Sequence, residues 1–291
     1  MKDFVIFTDS CSDLSLDFIN SENIVVLPMS FSFKNGEEVY LDDPSHKEMS
    51  IKDFYSRLRN KEVAKTNQVN MLTFEETAEK YLKEDKNILV LSFSSALSGT
   101  YNTLSICANE LKEKYKDNEI YIVDSLCASF GEGLFVYLVN EYKKAGDDIK
   151  TCYEKALELR HHILHLFTVD DLGCLARGGR LSASKAFIAN LLNLKPLLHV
   201  SKEGKLVPIG KSIGRKKSLI DLVNRFDKEC IDDRIVFISH GDCLEEALFV
   251  KEKILAKRPN IKVLLINDIG PVIGAHSGPG TLAIYFIGKE R

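Results

Sequence analysis

The chain has no excess of positive charge: 39 lysines and arginines face 42 aspartates and glutamates, for a formal charge of −3. That balance argues against broad binding to a nucleic-acid backbone, which needs a basic surface. There is no CxxC pair, and the seven cysteines (Cys11, Cys107, Cys127, Cys152, Cys174, Cys230 and Cys243) are scattered and odd in number. They read as reduced, mostly buried thiols rather than a disulfide framework or a zinc site. No apolar stretch approaches the roughly 18 residues of a membrane span. The opening "MKDFVIFTDS" carries too short an apolar run for a secretory signal. A cytoplasmic location follows as the expectation, with at most transient membrane contact. Internal repeats and low-complexity linkers are missing too. With 45% hydrophobic and 28% charged residues, the 291-residue chain has ordinary globular composition and suits two domains or one large α/β domain.

What is present in the first half is an alternation of short β runs and amphipathic helices. "FVIFTDS" (4–10), "NIVVLPMSF" (23–31), "NILVLSFS" (87–94) and "EIYIVDS" (119–125) read as strands. A helix with Leu104, Cys107, Ala108 and Leu111 on one face follows the third, and "GEGLFVYLVNEYKKAG" (131–146) follows the fourth. Thr73 and Glu76 have the spacing of a capping box. Such alternation predicts a parallel, doubly wound sheet. From about residue 150 the texture changes. One helix is expected through "KTCYEKALELRHHILHLF" (150–167), then a Gly-Gly turn and a second helix within "DLGCLARGGRLSASKAFIANLLN" (171–193). A hairpin is expected in "KPLLHVSKEGKLVPIG" (195–210), followed by strands in 234–242, 262–270 and 281–289. The expected division is a parallel-sheet domain over 1–160 and a mixed-sheet domain over 161–291.

Three strands end in polar groups: Thr8, Asp9 and Ser10; Ser92, Ser94 and Ser95; Asp124 and Ser125. Ligands of open α/β sheets bind beyond such ends, but the same residues also cap helices. "GKLVPIGKS" (204–212) fails as a Walker A loop, with five residues between its glycines instead of four. His161 and His165 are four apart on the expected helix, without the acidic partner of a metal motif, and read as partly exposed helix residues. In "SFSSALSGTYN" (92–102), Ser98, Gly99 and Thr100 fall at a helix start, where unpaired N–H groups favour an anion. Plain capping is the alternative, and a serine nucleophile would need His276 as its base. Thr66, in the polar stretch "KTNQVN" (65–70), can add a hydroxyl or cap. Arg177 and Arg180 flank the Gly-Gly turn of "LARGGRL", and "GRKKS" (214–218) is a second basic cluster. Both suit an acidic partner or a solvated face. "GPVIGAHSGPG" (270–280) has no lysine and no expected helix after it, so its glycines read as tight turns that bring His276 to a cleft.

"FTDSCSDL", "SSALSGTYNT", "VDS", "LARGGRL", "KPLL" and "GPVIGAHSGPG", in that order along the whole chain, resemble the DegV family of fatty-acid-binding proteins. The resemblance implies an α/β fold of two domains, an N-terminal three-layer parallel sheet and a C-terminal two-layer mixed sheet. It implies a long-chain fatty acid between them as the bound ligand, with no cofactor and no metal. The protein would be a non-catalytic carrier in bacterial phospholipid metabolism that presents the carboxylate to a separate fatty acid kinase. Carried onto this sequence, the carboxylate-binding residues are Thr66, Ser98, Gly99 and His276, and the kinase-docking arginines are Arg177, Arg180 and Arg215. Asn67 and Val69 depart from the family's usual T-S-Q-P-S-like stretch. The rival reading is an acyl hydrolase or transferase using Ser98 and His276, although no G-x-S-x-G elbow is present. A sugar or glycerone-phosphate binder is a third, by the likeness of the family's first domain to dihydroxyacetone kinases.

Overall fold

The computed structural model describes residues 2–182 and 194–291. Strands β1 (Phe4–Asp9), β2 (Val25–Leu27), β6 (Asn87–Ser92) and β7 (Ile120–Asp124) form a parallel sheet in the order β2-β1-β6-β7. Every residue of β1 and β6 is buried, as a parallel sheet covered on both faces requires. The helix pairs α3 (Met71–Lys83) with α4 (Thr100–Lys114) and α5 (Phe130–Lys144) with α6 (Ile149–Leu159) pack against it, giving three layers. Helix α1 (Leu16–Glu22) links β1 to β2.

The stretch 23–31 is two strands rather than one. Pro28 has no N–H to donate, so the ladder breaks after β2. Strand β3 (Met29–Phe33) instead enters a three-stranded antiparallel sheet between β4 (Glu38–Asp42) and β5 (Lys65–Asn67). This small sheet and helix α2 (Ile51–Arg59) share an aromatic cluster of Phe31, Phe33, Phe54 and Tyr55. The Thr73–Glu76 capping box does not form, because α3 begins a turn earlier. Asn70 Oδ1 accepts the N–H groups of Leu72 and Thr73 there.

The second half is a six-stranded mixed sheet in the order β10-β9-β8-β13-β11-β12. Its strands are β8 (Ile163–Thr168), β9 (Leu194–Val200), β10 (Leu206–Ile213), β11 (Cys230–His240), β12 (Val263–Asp268) and β13 (Leu282–Gly288). The helix expected through residue 167 stops at Leu159, and "ILHLFT" is a strand. Period-2 alternation decides it: Leu164 and Leu166 enter one core, Ile163 and Phe167 the other. β13 is divided likewise, with Leu282, Ile284 and Phe286 facing helices α8 (Arg215–Glu229) and α9 (Leu244–Lys257), and Ala283 and Tyr285 facing α5. Helix α5 therefore serves both sheets, and Phe130 lies 4.4 Å centroid to centroid from Phe237 of β11. A glycine is needed at 131, where a Cβ would stand 2.2 Å from His165 Nε2. The β9–β10 hairpin forms as expected, with Pro208 on the edge strand at a register shift.

Two short helices complete the described chain, α7 (Leu172–Arg177) and α10 (Pro271–Ser277). The turn expected around His276 is thus a helix. Pro271 opens it at the first turn, where its missing N–H costs nothing, and Gly278 closes it at φ 83°. The second helix expected within 171–193 falls largely outside the described residues.

Candidate ligand site between the two sheets

The polar strand ends are consumed inside the protein. Asp9 accepts the N–H groups of Cys11 (3.1 Å) and Phe93 (2.9 Å), and Thr8 donates to Glu132 of α5 (2.9 Å). Ser94 donates to the Gly204 carbonyl (2.9 Å), which fastens the tip of the β9–β10 hairpin to the first half. Asp124 accepts from Ser95 N–H, and Ser125 from Cys127 N–H. At these ends capping and domain docking win over ligand binding.

The cavity lies one step further out, between the two halves, with a volume of about 340 Å³. Thr66, Ser98, Gly99 and His276 all line it, drawn from β5, the α4 start and α10. Thr66 Oγ1 and His276 Nε2 are 2.8 Å apart. Burial, and then the charge of Arg180, lower the His276 pKa to about 4, so its imidazole is neutral at physiological pH. Ser98 Oγ accepts from Thr100 N–H (3.2 Å) and lies 2.9 Å from Thr100 Oγ1, so it is tied to the start of α4 while lining the cavity. Away from these groups the wall is mainly apolar, including Met29, Phe93, Phe167, Val200 and Ile273. His276 is bonded to Thr66 rather than to Ser98, and its Nδ1 has no hydrogen-bond partner among the described residues. The serine-nucleophile arrangement therefore lacks both its base contact and its orienting carboxylate.

The departures at 67 and 69 leave Thr66 in place. Asn67 continues β5 with its amide donating to Ser30 Oγ (3.2 Å), and Val69 is buried in the first-half core. Sequence reasoning overlooked Gln68, which lines the cavity and donates to Thr103 Oγ1 (2.5 Å). A Cβ on Gly99 would meet Gln68 Oε1 at 2.2 Å, so glycine is what lets this side chain lie over the α4 start. Strand β5 is three residues long and exposed-polar in sequence, which hides its register.

The arginines divide. Arg177 is exposed beside Asp171 (3.6 Å) on a groove that shares Thr66, Arg180 and His276 with the cavity. Arg180 stands at the cavity mouth itself, donating to the Leu97 carbonyl (3.3 Å) and the Gly178 carbonyl (2.6 Å). Arg215 does not line that groove. Its side chain is 17% exposed, pairs with Glu246 and lies 3.7 Å from Asp170, so it ties the second half together internally. His165 is corrected: it is a buried β8 residue whose Nε2 accepts from Ala128 N–H (3.2 Å), and His161 lies in the turn before it. Among the described residues no group of three or more His, Cys, Asp or Glu could hold a metal ion. All seven cysteines are free, five of them buried. No described helix is long and apolar enough to cross a membrane.

Comparison with known proteins agrees with this architecture. A family model described as an uncharacterised protein of the DegV family matches residues 3–289. A DegV domain-containing protein of Clostridium perfringens is 43% identical over 100% of this chain and 99% of its own length. One of Streptococcus pyogenes is 35% identical over 99% of each. Among solved structures, a DegV family protein from Thermus thermophilus, described by its fatty acid binding, superposes with a TM-score of 0.89 at 26% identity, covering 98% of this chain and 99% of that one. DegV from Bacillus subtilis, described as a fatty acid binding protein, gives 0.84 at 26% identity over 99% and 100%. The parallel first sheet, the mixed second sheet and the full-length match together show that this chain belongs to the DegV family.

Proposed function

We propose that this protein binds one long-chain fatty acid in the cavity between its two sheets and presents the carboxylate to a separate fatty acid kinase. The observation that carries the reading is a mainly apolar cavity whose mouth gathers Thr66, Ser98, Gly99 and His276. An acyl chain of about 14 methylenes, at roughly 0.8 kcal/mol per buried CH₂, brings on the order of 11 kcal/mol before binding costs. The head group needs donors, because a carboxylate buried without them costs several kcal/mol. The Ser98 hydroxyl, a helix-start amide and the proton left free on the Thr66–His276 pair supply them, in the positive field of Arg180. The protein works as a carrier with no turnover of its own, in the cytoplasm, and divides near residues 160 and 161.

Arg177 and Arg180 form the face offered to the kinase, since the groove they line reaches the Thr66–His276 pair. Two measurements test this. Mass spectrometry of denatured, purified protein should release a fatty acid; apo protein that also binds no hexadecanoate on titration overturns the reading. Arg177→Glu should keep hexadecanoate binding while slowing acyl-phosphate formation by an added fatty acid kinase about tenfold, and an unchanged rate removes the docking assignment.

A further inference from the structure

Helix α10 is seven residues long, too short to hold its own orientation, so the contacts at its ends decide where His276 points. At its far end His276 meets Thr66. Its start is held by three buried side chains of the first half. The Gly270 N–H donates to Asp13 Oδ1 (2.9 Å), and the Val272 N–H to Asp42 Oδ2 (3.1 Å). The Tyr55 hydroxyl donates to the Ile269 carbonyl (2.9 Å), and Asn267 Nδ2 donates to the Asp13 carbonyl (2.6 Å). Tyr55 is fully buried, and Asp42 and Asp13 are 2% and 7% exposed. Gly274 lets α10 approach this closely, since a Cβ there would stand 2.6 Å from Tyr55 Oη.

Carboxylates are costly groups for a packing contact. Beyond burial and hydrogen bonds, the charges acting on Asp13 are Asp42 and Asp268, and those acting on Asp42 are Asp43 and Asp9. All of these are acids. Burial raises both pKa values, that of Asp42 to about 7. Uncompensated buried charge weakens a fold, so a pair of such oxygens at one helix start points to a task that needs acceptors at those positions.

We propose that Asp13 and Asp42, together with Tyr55, are positioning residues of the ligand site: they fix the start of α10 so that His276 meets Thr66 and the ligand head group. The ligand part rests on the fatty-acid reading above; the geometric part does not.

The test uses Asp42→Ala and Asp42→Asn, each alone and combined with His276→Ala, with hexadecanoate as the probe. Asp42→Ala should raise the hexadecanoate Kd about tenfold, while Asp42→Asn, which keeps an acceptor oxygen, should stay within about twofold of the parent. In the His276→Ala background Asp42→Ala should change nothing further, because the two act through one contact. In ligand-free protein, NMR titration of the His276 imidazole should move from about 4 toward the ordinary histidine range in Asp42→Ala. A folded Asp42→Ala protein with the parent's Kd and titration overturns the proposal, as does an equal loss in the His276→Ala background. If Asp42→Ala does not fold, Tyr55→Phe decides. It keeps the ring, loses the bond to Ile269, and should raise Kd about threefold and shift the same titration; parent values for both overturn the assignment. If the parent binds no hexadecanoate, the carrier function fails, and the ligand-free titration still judges the positioning role.

Discussion

The proposed head-group residues do different amounts of structural work, and that separates their expected mutational effects. Thr66 Oγ1 contacts only His276 among the described hydrogen bonds, whereas Ser98 Oγ also accepts the Thr100 N–H at the start of α4. Thr66→Val and Ser98→Ala should each weaken hexadecanoate binding by about 1–3 kcal/mol through loss of a hydrogen bond to a charged group. Calorimetric titration measures it. Ser98→Ala should in addition cost about 0.5–1.5 kcal/mol of stability by freeing the Thr100 N–H, and Thr66→Val should not carry that cost. Equal thermal shifts for the two would remove the distinction. Thr66, Ser98, Gly99 and His276 were legible in the sequence because glycine, hydroxyl and imidazole groups stood in an ordered series of motifs. Gln68 was not, since nothing local tells an exposed glutamine just past a short strand that it will lie over Gly99.

At the scale of elements, helix α5 carries the most consequence because it is packed from both sides. Its Gly131 sits where alanine would gain about 1 kcal/mol of helix propensity. A Cβ there would also stand 2.6 Å from Tyr285 Cδ1, in addition to its contact with His165. Overpacking of that kind costs about 1–3 kcal/mol, so Gly131→Ala should destabilise on balance. Urea unfolding decides the sign, and a stabilised variant would show that β8 and β13 yield easily. The same two-sidedness explains why β8 resembles a helix in sequence. A short apolar run such as "LELRHHILHLF" matches both periods, and only its burial between two cores selects the strand. At the His276 segment, the glycines hid a helix whose start is capped by residues more than two hundred positions away.

For the whole molecule, the buried acids of the first half set a pH dependence. Burial raises Asp9 and Asp42 to about 7, and Glu132 well above its usual range. In the unfolded chain an aspartate titrates near about 3.9. Each raised group therefore favours the fold fully below that value, and its contribution is lost as pH rises through about 7. Asp42→Asn removes one such group. Its stability advantage over the parent should be absent near pH 4, grow as pH rises toward 7, and then level at on the order of a few kcal/mol. Chemical unfolding at stepped pH measures this, and a constant difference would mean that Asp42 is not buried as a titrating acid.

The sequence by itself determined the alternating first half, the change to a mixed sheet after it, the small negative charge of the chain, and the residue types of the proposed head-group site. These are matters of periodicity, composition and local turn chemistry, all carried by neighbours along the chain. Tertiary structure alone decided that Thr66 and His276 meet, that Arg215 is spent on Glu246 and Asp170, and that acids at 13 and 42 hold the helix bearing the histidine. Each of those is a contact between distant segments. Its geometry depends on how two sheets share one helix, and no local pattern contains that.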